Sequence, residues 1–180
     1  MDRTLPQCAA LAELDFDALV QAEQLPLVRL ASRLTWDAEE ARDLVQAALT
    51  DAYARRSELR DPSRAAPWLR KILVRRTLNH LRRKRRWAAL RTLLDLESDF
   101  AAPPEDALLR SQHLTQIKQA VTLLPAGQAT AFTLRYLEGL SLDECGDAMG
   151  IDRGTVRVHL YRALCKLRAQ GVLPDAEEKP

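Results

Sequence analysis

Apolar residues recur at three- and four-residue intervals along most of the chain, the period of an amphipathic helix. Phe16, Leu19, Val20, Leu27, Leu30 and Leu34 predict a helical stretch over 16–34, which Pro26 either kinks or splits in two. Leu44, Val45, Ala48, Leu49, Ala52 and Tyr53 share one face of a clearer helix over 37–53. Asp37 is placed to cap its start, and Glu39 and Glu40 stand in its first turn, where the helix dipole favours anions. After a loop over 60–67, a helix with Pro67 in its first turn runs to about residue 86. Leu69, Ile72, Leu73, Leu78 and Leu81 are its inward candidates.

The pattern breaks over 87–105. Asp95, Glu97, Asp99 and Glu105 appear, and Pro103-Pro104 interrupts the chain. This segment reads as a flexible tether that would reach at most ~60–70 Å if fully extended, and less if part of 88–96 is helical. Helical periodicity resumes at 106–124, and Pro125 opens a further helix through Phe132 and Leu134 to Leu137. Ser141-Leu-Asp-Glu144 is a capping box that starts a short helix to Met149. Gly150 suits the left-handed position after it, and Asp152 caps a last helix to about Leu167. Leu142, Cys145, Met149, Ile151, Val156, Leu160, Ala163, Leu164 and Leu167 form the inward stripe of this pair. The expected fold is all-α, with two small helical domains joined by a flexible linker, the second a helix-turn-helix domain. The expected boundaries are 1–86, a linker over 87–105, 106–172 and a tail over 173–180.

Composition narrows the class. A hydrophobic share of 47% over 180 residues supports one domain or two small ones, and the aromatic share of 5% favours helices rich in Ala, Leu and Arg. No apolar run approaches the ~18–20 residues of a membrane helix, and the N-terminus lacks the apolar core of a signal peptide. Cys8, Cys145 and Cys165 are odd in number and widely spaced, as free thiols in a reducing cytosol would be. Cys145 falls on the inward stripe with Cys165 near it, and Cys8 is expected to be exposed; a redox role has little support. His80, His113 and His159 form no ligand or triad spacing with the cysteines, and no glycine-rich phosphate loop occurs. An enzyme is not expected, and neither a metal, a cofactor nor a small-molecule substrate is implied.

Charge changes the picture most. Arg64, Arg70, Lys71, Arg75, Arg76, Arg82, Arg83, Lys84, Arg85, Arg86 and Arg91 lie between Pro62 and Leu94 with no acid among them. The whole chain is only +2, so everything outside that window sums to −9. Such sorting attracts polyanions and releases their condensed counterions. By itself the helix could equally serve a membrane surface, a calmodulin-like partner or plain solvation. The C-terminal pair adds a second basic helix, with Arg153, Arg157, Arg162, Lys166 and Arg168 and no acid. Arg153, Thr155, Arg157, Val158 and Arg162 are left facing outward near its start. Arginine can donate two hydrogen bonds to guanine, and Thr or Val can meet a thymine methyl. The same spacing also fits an ordinary three-helix bundle with a solvated basic face. The pairing of two basic helices across a tether favours a bipartite DNA reader, in which Asn79 and His80 offer base-capable groups among phosphate contacts. Trp68 offers a stacking plane or a packed core aromatic.

Three stretches resemble the extracytoplasmic-function (ECF) sigma factors, the small two-domain initiation subunits of bacterial RNA polymerase. Trp36-Asp-Ala-Glu-Glu-Ala-Arg-Asp-Leu-Val-Gln46 is similar to the family's polymerase-binding helix. Pro67-Trp-Leu-Arg-Lys-Ile72, continuing to Asn79-His-Leu-Arg-Arg83, resembles its minus-ten promoter reader. Leu124-Pro125, Phe132, Arg135-Tyr136, Gly139-Leu-Ser141, Glu144, Gly150-Ile151 and Gly154-Thr-Val-Arg157 resemble its minus-thirty-five reader. The likeness spans about 14–169 in the family's order. Ala47-Ala48-Leu49 stands where the family has Glu, an apolar residue and Phe; Arg75 stands for its Asn and Asn79 for its Asp. Val158 and His159 replace its usual Ser-Arg, which points to an unusual promoter sequence.

The resemblance implies that Asp43, Leu44 and Gln46 bind core RNA polymerase. It implies that Arg153, Thr155, Arg157, Val158, His159 and Arg162 meet the upstream promoter element. Ser63 and Arg64, in a loop that would capture a flipped base, and Arg75, Arg76, Asn79, His80, Arg82 and Arg83 would meet the downstream element where strands separate. The tether would run through the polymerase towards the RNA exit path. Core polymerase, promoter DNA and an anti-sigma factor are the implied partners, in the cytoplasm at the nucleoid, without membrane insertion. The competing reading is a stand-alone helix-turn-helix regulator that binds its site without polymerase.

Overall fold

Asp15 accepts a hydrogen bond from the Ala18 amide at 3.0 Å and so opens the first helix, α1, Phe16–Thr35. The computed structural model describes residues 15–59, 61–93 and 110–173. Pro26 lies inside α1 without ending it, so of the two expected outcomes the break into two helices does not occur. Trp36 closes α1 in the left-handed region, φ 58°, and donates its amide to the Ser32 carbonyl at 2.8 Å. Asp37 then caps α2, Ala38–Ala54, accepting from the Glu39 and Glu40 amides at 2.9 Å each. Those amides, Glu40's above all, hold the Asp37 carboxyl below its ordinary range.

Two short 3₁₀ turns, Arg56–Glu58 and Pro62–Arg64, lead into α3, Ala65–Leu93. This helix starts two residues before Pro67 and continues through Trp87 into the predicted tether; residues 94–105 of that tether lie outside the described residues. At 29 residues it is about 43 Å long, at 1.5 Å per residue. Leu27, Leu30 and Leu34 of α1, Leu44, Val45 and Ala48 of α2, and Leu69, Leu73 and Leu78 of α3 bury one another in a three-helix core. Tyr53 departs from its predicted inward place. It is 53% exposed, edge-on to the Phe16 ring at 5.3 Å with the Arg56 guanidinium 4.3 Å over its face.

The second half comprises α4 (Arg110–Leu123), α5 (Ala126–Phe132), α6 (Leu142–Met149) and α7 (Arg153–Ala169). The start expected at 106–109 lies outside the described residues. Pro125 caps α5, and a wider turn over Thr133–Leu137 follows it, closed by the Glu138 amide on the Thr133 carbonyl at 3.0 Å. Ser141 and Glu144 form the reciprocal capping box, at 2.8 and 3.2 Å. Gly150, φ 72°, makes the turn into α7. Val121, Leu124, Phe132, Ala163 and Leu167 form a core of their own among α4, α5 and α7. No strand occurs among the described residues.

The two halves pack on one another. Helix α3 lies against α6 and α5, and Val74 and Leu78 join Leu140, Cys145, Met149 and Val156 in one apolar cluster with the three-helix core. Val74 and Thr77 are fully buried, although neither belongs to the predicted inward set of α3.

Candidate nucleic-acid interface

Helix α7 is presented by its own sequence. Asp152 accepts from the Thr155 amide at 2.9 Å and from its hydroxyl at 2.5 Å, and the hydroxyl's bond in particular holds the Asp152 carboxyl low. Thr155 is thus committed to capping by both polar groups. Arg157, Val158 and Arg162 stand exposed on the outward face, while Val156, Leu160, Ala163 and Leu167 are buried. Arg153 also faces solvent and reaches Asp143 of α6 at 3.2 Å, so it ties the two helices of the motif together. Tyr161 shares the outward face and is 70% exposed; sequence reasoning missed it, although its spacing from Arg157 and Val158 was a usable signal.

His159 lies differently. Its ring is half-buried over Gly127 of α5, where a side-chain carbon on that glycine would fall 2.9 Å from the ring's Cε1. Burial first, then the charges of Arg82 and Arg162, push its pKa down from the ordinary histidine value. The residue therefore packs between α7 and α5 rather than on the outward face.

On α3 the basic residues divide into engaged and free. Arg76 pairs with Asp51 of α2. Lys84 reaches Glu40 at 2.6 Å, and His80 Nε2 lies 3.1 Å from the same carboxylate oxygen. Arg75 has its guanidinium against Gly150. Asn79, Arg82 and Arg83 are exposed. In the loop before the helix, Ser63 donates both its amide (2.9 Å) and its hydroxyl (2.6 Å) to Asp61, whose carboxyl the hydroxyl's bond lowers further than the amide's. Arg64 is exposed beside it.

Between α2 and α3 runs an open groove of about 980 Å³ with an acidic wall (Glu40, Asp43, Asp51) and a basic one (Arg76, Arg83). Asp43 is exposed at its edge, and Leu44, only 7% exposed, lies in its lining. Gln46 faces a separate shallow depression with Phe16, Leu49 and Tyr53. The three residues thus span two neighbouring concavities.

Cys145 is buried, and burial pushes its thiol up to about 11, as for an inert apolar residue; Cys165 is exposed, not near the inward stripe as expected. Cys8 lies outside the described residues, and nothing is described of the His113 side chain. Among the described residues no group of His, Cys, Asp and Glu could hold a metal ion, and no helix is long and apolar enough to cross a membrane.

A helix-turn-helix with a basic outward face, packed beside a second long basic helix, defines an all-α protein with two exposed basic elements. The Sigma-70 region 2 family model matches residues 19–87, and the Sigma-70, region 4 model matches 114–167. The RNA polymerase sigma-H factor of Pseudomonas aeruginosa is 34% identical, over 82% of this chain and 81% of its own length. The RNA polymerase sigma-E factor of Streptomyces coelicolor is 29% identical over 92% and 91%. The sigma factor RpoE from Bartonella quintana, solved in complex with the anti-sigma factor NepR, matches 89% of this chain and 99% of its own, with 25% identity and a TM-score of 0.65. The chain belongs to the extracytoplasmic-function sigma factors of bacterial RNA polymerase. Its two matched regions are those of promoter-directed transcription initiation, and a stand-alone regulator is not favoured.

Proposed function

We propose a division of labour among the residues. Helix α7 reads the upstream promoter element as duplex, with Arg157, Val158, Arg153 and Arg162 toward the major groove and Thr155 supplying its methyl. The observation behind this is the exposed basic face of α7 on a helix whose start Asp152 and Gly150 fix. His159, half-buried, acts by seating α7 on α5. Arg82, Arg83 and Asn79 take the downstream element, Arg82 and Arg83 as phosphate contacts. Ser63 and Arg64 border the loop for a flipped base, whose extrusion costs a few kcal/mol. Arg76 and His80 lie against Asp51 and Glu40 and reach DNA only by leaving them, whereas Arg75 is exposed with its guanidinium over Gly150. Asp43 and Gln46 are the exposed contacts for core polymerase, with Leu44 beneath.

The protein is a non-catalytic initiation subunit that works in the cytoplasm, at the nucleoid, on core polymerase and promoter DNA. An anti-sigma factor is its expected antagonist; this is supported by the likeness to RpoE in complex with NepR. Run-off transcription with bacterial core polymerase on pooled genomic promoter fragments tests this. Transcripts that appear only with the protein support the assignment and give both promoter elements. Specific duplex binding by the protein alone, with no new transcripts, overturns it in favour of a stand-alone regulator.

A further inference from the structure

The C-terminal end of α3 exposes an aromatic plane among arginines. Trp87 is 61% exposed and Leu90 48%, although both are large apolar side chains. Arg82, Arg83, Arg86 and Arg91 around them are exposed as well. Helical spacing places Arg83 and Arg91 one turn to either side of Trp87, about 5–6 Å away between Cβ atoms, and sets Arg86 one turn from Leu90. Among the described residues, no ion pair engages any of these four arginines. No acid occurs between Pro62 and Leu94 to neutralise them. Trp87 stands two turns beyond Asn79, about 12 Å along the helix at 1.5 Å per residue, at the end of α3 opposite the Ser63–Arg64 loop.

An exposed indole among free guanidinium groups suits one occupant. A helix that lies on a membrane needs a long apolar face, whereas the turns before Trp87 carry exposed Asn79, Arg82, Arg83 and Arg86. Intact duplex offers phosphates to the arginines but keeps its base faces stacked, so the indole plane would find no partner there. A single strand offers both: phosphates for the arginines and open base faces for stacking. We propose that Trp87 is a stacking platform for an unpaired base of the separated promoter strand, with Arg83, Arg86 and Arg91 on the neighbouring phosphates and Leu90 beside the base. The site continues the track of Asn79, Arg82 and Arg83 along the helix and is distinct from the flipped-base loop at its other end. The inference rests on the assignment of α3 to the DNA where strands separate.

The test uses the full chain and oligothymidine, a single strand that does not pair with itself. Fluorotryptophan labelling gives one fluorine NMR resonance for each of Trp36, Trp68 and Trp87, and Trp87→Leu identifies the third. The Trp87 resonance should shift in step with binding. A resonance that stays in place while oligothymidine binds overturns the proposal, as does an absence of binding or an equal shift with an oligothymidine–oligoadenine duplex. Trp87→Ala should weaken binding by about 5- to 150-fold, the range for one base stacked on an aromatic ring. Trp87→Tyr should keep most of the affinity and Trp87→Leu should not; equal losses overturn stacking. Because Trp87 is exposed, these variants should keep the wild-type Tm. Arg86→Ala and Arg91→Ala should each flatten the log–log salt dependence by about 0.7, as for one phosphate of a single strand, and unchanged slopes in both overturn the site. Binding of oligothymidine uses neither core polymerase nor promoter sequence. Transcripts without a Trp87 response therefore overturn this inference alone, and a Trp87 response without transcripts supports it while the transcription assignment fails.

Discussion

Arg75 and Gly150, far apart in sequence, meet across the two domains, with the guanidinium lying where any side chain on Gly150 would have to go. Gly150 is fixed twice: its φ of 72° favours glycine, and the space above it is occupied. Gly150→Ala should cost about 1–2 kcal/mol for the left-handed backbone alone, a loss of several degrees in Tm. Adding Arg75→Ala relieves the crowding but not the backbone term. Thermal unfolding of the single and double variants separates the two, and full recovery in the double variant would contradict a backbone cost.

His159 and Gly127 form a similar pair within the C-terminal domain. Gly127→Ala gains helix propensity of about 1 kcal/mol but forces the His159 ring aside, which costs about 1–3 kcal/mol in a packed site. A net loss of roughly 1 kcal/mol is expected in chemical denaturation. His159→Ala in the Gly127→Ala chain should return most of it, and additive losses would show that the ring is not the obstacle.

The buried His159 also sets a pH dependence. Its folded pKa lies below the ordinary value of 6.5, so the unfolded chain takes up a proton first as pH falls. Stability is therefore full above that value and declines as pH drops through it, until the folded state protonates as well. Denaturation midpoints between pH 7.5 and 5 should fall, and His159→Gln should flatten the slope. An equal slope in that variant would assign the effect to other groups.

Removing the α6 cap with Ser141→Ala should cost about 1 kcal/mol. The Ser141 amide, then its hydroxyl, lowers the Glu144 pKa below its ordinary 4.5, so the wild type also loses this contribution as pH falls through the lowered value. Glu144→Gln should remove that acid-limb loss while keeping most of the cap. The reading predicts shifts in midpoint with little change in the denaturant slope.

Exposed and engaged arginines should differ at DNA. Arg157→Ala is expected to weaken upstream-element binding by ~1–3 kcal/mol and to relax sequence preference. Binding-site selection checks this, and an unchanged preference moves the contact elsewhere. Removing Arg82 and Arg83 together should flatten the log–log salt dependence of promoter binding by about 1.8, at about 0.9 per phosphate contact. Arg76→Ala should change it less, because Arg76 is paired with Asp51.

The capped helix starts were legible in the chain because they are local chemistry, whereas α3, with no such cap to mark it, starts before Pro67 and runs to Leu93. The Asp37 and Asp152 caps, the Ser141–Glu144 box and the Gly150 turn each need only a few consecutive residues, and each stands where its residues point. The helix-turn-helix and the basic face of α7 followed from the same periodicity. Tyr53 and Cys165 were harder, since a helix pattern gives a face but not what lies opposite it. Pro26 left a kink and a break open, and α1 runs through it without a break, with Leu27, Leu30 and Leu34 beyond it packed into the core.

The sequence by itself determined the helices, their caps, the sorting of positive charge and the family likeness, all properties of neighbouring residues or of residue order. Only the tertiary structure decided which basic residues are free. Arg76 finds Asp51, Lys84 finds Glu40, Arg75 finds Gly150, and His159 turns toward Gly127. It alone decided that Val74 and Thr77 are buried, Val74 in the apolar cluster shared by the two halves. The reason is physical: an ion pair or an apolar seam depends on separations of a few ångströms between segments that lie far apart along the chain. Helical periodicity fixes directions within one segment and carries no information about which other segment will face it.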